Sequence, residues 1–166
     1  MPTEPVPVNE YITDLEAQWD PSKVDSNFSN SAEYKPNFIE ITGEDEPLRF
    51  NLNVSDTITV RAGTPAIEET PVGNWTYGNR NYNLEIEIHT NENRQRLYNL
   101  MRELRRLAHA RKSSLTNFQR VQFVNFAEQT QEQVNVWTGT ANVVLVNNMV
   151  LLLSLIHISE PTRRTP

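Results

Sequence analysis

A chain of 166 residues, 37% hydrophobic and 22% charged, has the size and composition of one globular domain able to bury a sizeable core. It contains no cysteine, which excludes disulfides, thiol catalysis and thiolate metal sites while leaving the redox compartment open. No stretch approaches the roughly 18 apolar residues of a membrane span, and Met1-Pro2-Thr3-Glu4-Pro5 has neither the basic segment nor the apolar core of a signal peptide, so synthesis in the cytosol and no membrane partner are expected.

Residues 1–8 hold three prolines and read as a flexible arm. Val8, Ile12, Leu15 and Trp19 then recur at helical spacing, predicting a short amphipathic helix that Asp20-Pro21-Ser22 ends. Residues 22–36 read as a connection packed down by Phe28 and Tyr34. Strand signals follow at Asn37–Ile41, Leu48–Leu52 and Thr57–Arg61, where apolar and polar residues alternate. Gly63, Pro65, Pro71, Gly73 and Gly78, with acidic Glu68 and Glu69, make 62–79 a long exposed loop, the kind of segment that meets partners. Within it, Trp75 and Tyr77 are either folded back on the domain or presented as interface anchors.

The clearest strand is Tyr82–His89, with Tyr82, Leu84, Ile86 and Ile88 on a core face and Asn83, Glu85, Glu87 and His89 on a polar one. Thr90 or Asn91 can cap a helix from Glu92 to about Lys112, whose Leu97, Leu100, Met101, Leu104, Leu107 and Ala108 share one stripe. Strands at Phe118–Phe126 and Val134–Val146 complete the pattern, with Gly139 suggesting a bulge or bend. The order implies an α+β fold, a largely antiparallel sheet with the long amphipathic helix and the short N-terminal helix packed on one face, and a single domain over 9–152. Residues 153–166 stand apart: Leu153-Ser154-Leu155-Ile156-His157-Ile158-Ser159-Glu160-Pro161-Thr162-Arg163 matches the translation of a transposase-type sequencing adapter. They are expected to be a non-native tail on a gene assembled from environmental DNA, the alternative being an amphipathic tail.

The sequence contains no nucleophile elbow, no phosphate-cradling glycine loop and no His-Glu-x-x-His. Glu85, Glu87 and His89 on one strand face are compatible with a metal or acid–base cluster, but alternation alone produces a solvated polar face, so no catalytic, cofactor or metal site is expected. His109, near the helix end, fits a dipole contact. Charge is segregated: residues 1–50 carry eleven acids and three bases, net −8, and residues 91–120 two acids and eight bases, net +6. Arg94, Arg102, Arg105, Arg106 and Lys112 form a stripe beside the apolar one. That stripe fits a solvated face, an ion-pairing protein interface or a phosphate-binding surface, and the overall charge of −6 weighs against the last.

The combination of a short leading helix ending in Trp19-Asp20-Pro21-Ser22-Lys23-Val24, the Lys35-Pro36-Asn37-Phe38-Ile39 strand entry, Asp56-Thr57-Ile58-Thr59-Val60, and strand–helix–strand–strand after the loop resembles the tail-terminator and tail-completion proteins at the head–tail junction of tailed viruses. The resemblance spans most of residues 9–150. It implies a non-enzymatic virion protein, made in the host cytoplasm, that forms a homo-oligomeric ring and contacts other tail or neck proteins. Arg94, Arg102, Arg105, Arg106, Lys112, Trp75, Tyr77, Glu68 and Glu69 are then the interface candidates. A nucleic-acid-binding accessory protein using the same arginines is the rival expectation.

Overall fold

The computed structural model describes residues 4–42, 52, 55–72, 77–110, 115–131 and 134–149. Helix α1, Pro7–Gln18, starts one residue before the expected end of the arm at residue 8, because Pro7 supplies a preset helical φ at a position whose N–H has no intrahelical partner. Val8, Tyr11, Leu15 and Trp19 are buried along it. Two 3-10 turns follow, Pro21–Lys23 and Ala32–Tyr34, with Phe28 stacked on Tyr34 at 4.7 Å between ring centroids.

Five strands form one sheet: β1 Asn37–Glu40, β2 Thr57–Val72, β3 Tyr77–Thr90, β4 Arg120–Glu128 and β5 Trp137–Met149, in spatial order β1-β2-β3-β5-β4. β1 runs parallel to β2 and every other neighbouring pair is antiparallel. The α+β class with a largely antiparallel sheet is therefore what the chain adopts. β4 runs in the same sense as β3 with β5 between them, so helix α2, Arg94–Ala110, is the crossover of a split β-α-β unit.

The period-two residues of β3 set the core. Ile86 and Ile88 lie opposite Val60 and Ile58 of β2, while Tyr82, Leu84 and Ile86 lie opposite Leu145, Val143 and Ala141 of β5. These side chains form one buried cluster with Leu97, Leu100, Leu104 and Leu107 of α2 and the apolar residues of α1. Each of the Val, Leu and Ile side chains among them contributes about 1.5–3 kcal/mol relative to exposure.

Several sequence expectations are corrected. Where a long loop was expected at 62–79, the described residues 62–72 and 77–79 instead continue the sheet: β2 stays paired with β3 from Ile67–Val72 against Tyr77–Tyr82. The glycines and prolines suggested a loop, but past Val60 β2 has no strand paired on its β1 side among the described residues, and Gly63 and Pro65 fall where the register shifts between Ala62 and Ile67. Asn93, not Thr90 or Asn91, caps α2, its Oδ1 accepting from the Arg96 N–H at 2.8 Å, while the Thr90 hydroxyl donates to buried Asp56 at 2.6 Å and accepts from the Glu92 N–H at 3.3 Å. The last two strands lie two to three residues later than the alternation suggested, with Phe118 in the core ahead of β4 and Asn135 at φ 64° in the connecting turn. Gly139 is in regular pairing, opposite Ile88 and Glu128, and the bulge is in β4 between Phe123 and Asn125. A Cβ at 139 would collide with the Phe126 ring, so only glycine leaves that ring where it is. Of the strand expected at Leu48–Leu52, all but Leu52, which is in a turn, lies outside the described residues, as does the 153–166 tail.

Candidate interface surfaces

The arginine stripe of α2 divides by what each side chain meets. Arg94 forks onto Glu128 of β4 through Nε at 3.0 Å and Nη2 at 2.8 Å, and Tyr98 donates to the same carboxylate oxygen at 2.7 Å. Those hydrogen bonds hold the Glu128 carboxyl below the usual carboxylate range. Arg106 clasps Glu103 one turn back, Nε to Oε1 at 2.5 Å and Nη2 to Oε2 at 2.8 Å. Arg102 is exposed and donates to the Lys23 carbonyl at 3.0 Å. Arg105 is exposed and meets no acid among the described residues; Lys112 lies outside them.

Two residues of α2 that the stripe omitted prove structurally central. Arg96, only 13% exposed at its side chain, reaches Asp56 at 2.9 Å and Asp25 at 3.1 Å, and its guanidinium sits 4.6 Å from the Phe28 ring centroid. Glu103 is 1% exposed, and its Oε2 also accepts the Asp20 N–H at 3.0 Å. Asp20 in turn accepts from Ser22 N and Oγ at 3.0 and 2.6 Å, which lowers its pKa. Arg96 and Glu103 are seven residues apart, on a line bordering the apolar stripe, and that spacing was the available sequence signal. The acids at 20, 25 and 56 thus lie against α2 within the same subunit.

Glu68 and Glu69 are also engaged. Glu69 sits directly across from Arg80 and pairs with it at 2.6 Å, and Arg80 extends to Glu4 at 3.3 Å. Glu4 also takes the Tyr82 hydroxyl, fastening the residues before α1 to β3. Glu68 accepts from Asn83 at 2.6 Å. Residues 64–70 are nevertheless exposed throughout. Tyr77 pairs through its backbone with Val72, while its side chain and Trp75 lie outside what is described.

On the polar face of β3, Arg61 of β2 pairs with Glu85. His89 lies 3.4 Å from Glu87 through Nε2 and 3.2 Å from Thr138 through Nδ1. The hydrogen bond with His89 draws the Glu87 carboxyl below its ordinary range. Among the described residues no group of three or more His, Cys, Asp or Glu is arranged to hold a metal ion, and no helix is long and apolar enough to cross a membrane. His109 is exposed in the last turn of α2.

No family model matches the chain, and no curated protein matches it.

Proposed function

We propose that this chain is a virion structural protein of the head–tail junction, a ring-forming tail terminator or tail-completion protein without catalytic activity. The observation that carries this reading is the sheet with two different edges, β1 at one end and β4 at the other, neither paired with a further strand among the described residues. A subunit with two unlike open edges associates head to tail, and head-to-tail contacts whose rotation closes give rings. The β2–β3 extension past β1, exposed along 64–70, is the surface suited to a tail or neck neighbour.

Against the nucleic-acid reading stands the internal engagement of the arginines. Arg94, Arg96 and Arg106 face carboxylates of their own subunit, so only Arg102 and Arg105 of the described helix arginines are left for phosphate. Static light scattering with negative-stain microscopy of the purified chain, with and without a DNA duplex, tests the proposal. Closed rings that form without DNA are the expected result. A monomer at every concentration that binds duplex with a steep salt dependence would overturn it in favour of the rival.

A further inference from the structure

The segregation of charge along the sequence becomes a segregation across the sheet. Helix α1 lies over β1 and β2, with Trp19 edge-on to Phe38 and Lys35 Nζ donating to the Glu16 carbonyl at 2.5 Å. This end exposes Glu16, Glu33 and Glu40. Helix α2 lies over β3, β5 and β4, with Arg94 and Tyr98 fixed to Glu128 and Phe126 of β4. At 100° per residue Arg105 falls between Arg94 and Tyr98 in projection, on the stripe that faces β4. Arg105 and Arg120 are both exposed at this end, and neither meets an acid among the described residues.

The β4 edge also offers an anchor. The bulge between Phe123 and Asn125 leaves Val124 as the extra residue, 55% exposed. It borders a cleft of about 490 Å³ running between Ala108 and His109 of α2 and residues 120–124. At the opposite edge Ile39 and Ile41 are half-buried and Tyr34 is exposed. Strand directions agree as well: β1 and β4 run in opposite senses, so a copy placed beside the first to continue the sheet brings β4 antiparallel to the neighbour's β1.

We infer that neighbouring copies of this chain meet with the β4 edge of one against the β1 edge of the next, Val124 as the apolar anchor and Arg105 and Arg120 facing Glu33 and Glu40. The inference rests on the ring reading above and names its contact. Rim charges set register and encounter while the apolar contact supplies affinity. Arg106 and Arg96 are unsuitable probes, because they hold buried or half-buried acids of their own subunit.

The test compares the full chain with four variants by light scattering at about 50 and 500 mM salt, with circular dichroism confirming that each is folded. Arg105→Glu/Arg120→Glu and Glu33→Lys/Glu40→Lys are each expected to raise the concentration for half-assembly about tenfold at low salt. Combining all four substitutions in one chain restores opposite charge across the contact and is expected to return assembly to near the wild-type value. Val124→Ser is expected to weaken assembly equally at both salt concentrations. Wild-type rings unaffected by the charge variants, or weakened by them but not rescued by the combination, would overturn this contact and leave the ring standing. A wild-type chain that stays monomeric would overturn both.

Discussion

Glu103 is the position where a single substitution is expected to cost most for its size. Its side chain is buried in the middle of α2 and holds two things together, the Asp20 N–H that ends the α1 segment and the Arg106 guanidinium. Glu103→Ala leaves the Asp20 N–H without its acceptor, a loss of about 1–3 kcal/mol for a buried unsatisfied group. The side-chain volume also goes, while Arg106, 40% exposed, can turn to water, so the full cost of a broken buried pair is discounted. A loss of about 2–4 kcal/mol is expected for Ala. Glu103→Gln retains shape and an oxygen for Asp20 N and is expected to lose about 1–2 kcal/mol through weaker bonding to Arg106. Urea unfolding followed by circular dichroism, with midpoints compared at constant m, is the assay. An alanine variant within about 0.5 kcal/mol of wild type would refute the role assigned to the carboxylate.

Gly139→Ala is expected to lower stability by about 1–3 kcal/mol by thermal or urea unfolding, since its Cβ must displace a Phe126 ring packed edge-on to Tyr98; adding Phe126→Leu should recover part of the loss, and a neutral single variant would refute the close approach. Asp20, Glu87 and Glu128 all have folded-state pKa values below their ordinary range, so their stabilisation is complete above the ordinary values and is lost as pH falls through the lowered ones. The urea midpoint is therefore expected to fall between about pH 5 and pH 3. Glu128→Gln and Asp20→Asn should each flatten that fall, and an unchanged slope in both would show that other groups govern acid unfolding.

The elements that local periodicity encodes were legible in the chain. Strand β3 alternates at period two and α2 repeats near period 3.6, and both lie where those patterns place them, because side-chain direction within one element depends only on its own backbone. The extension over 62–72 was not legible: its glycines and prolines speak for a loop, and only the opposing strand, with Arg80 directly across from Glu69, holds it extended. The arginines followed the same division. Sequence placed them on one helix side, but whether each is engaged within the subunit depends on residues far along the chain, such as Asp56 for Arg96 at a separation of 40 and Asp20 for Glu103 at 83. Ionic and hydrogen-bonded partners act over a few ångströms in space, with no period in sequence. Tertiary packing alone therefore turned Arg94 and Arg106 of an apparent basic stripe into internal struts, leaving the uncommitted charge of its described residues at Arg102 and Arg105.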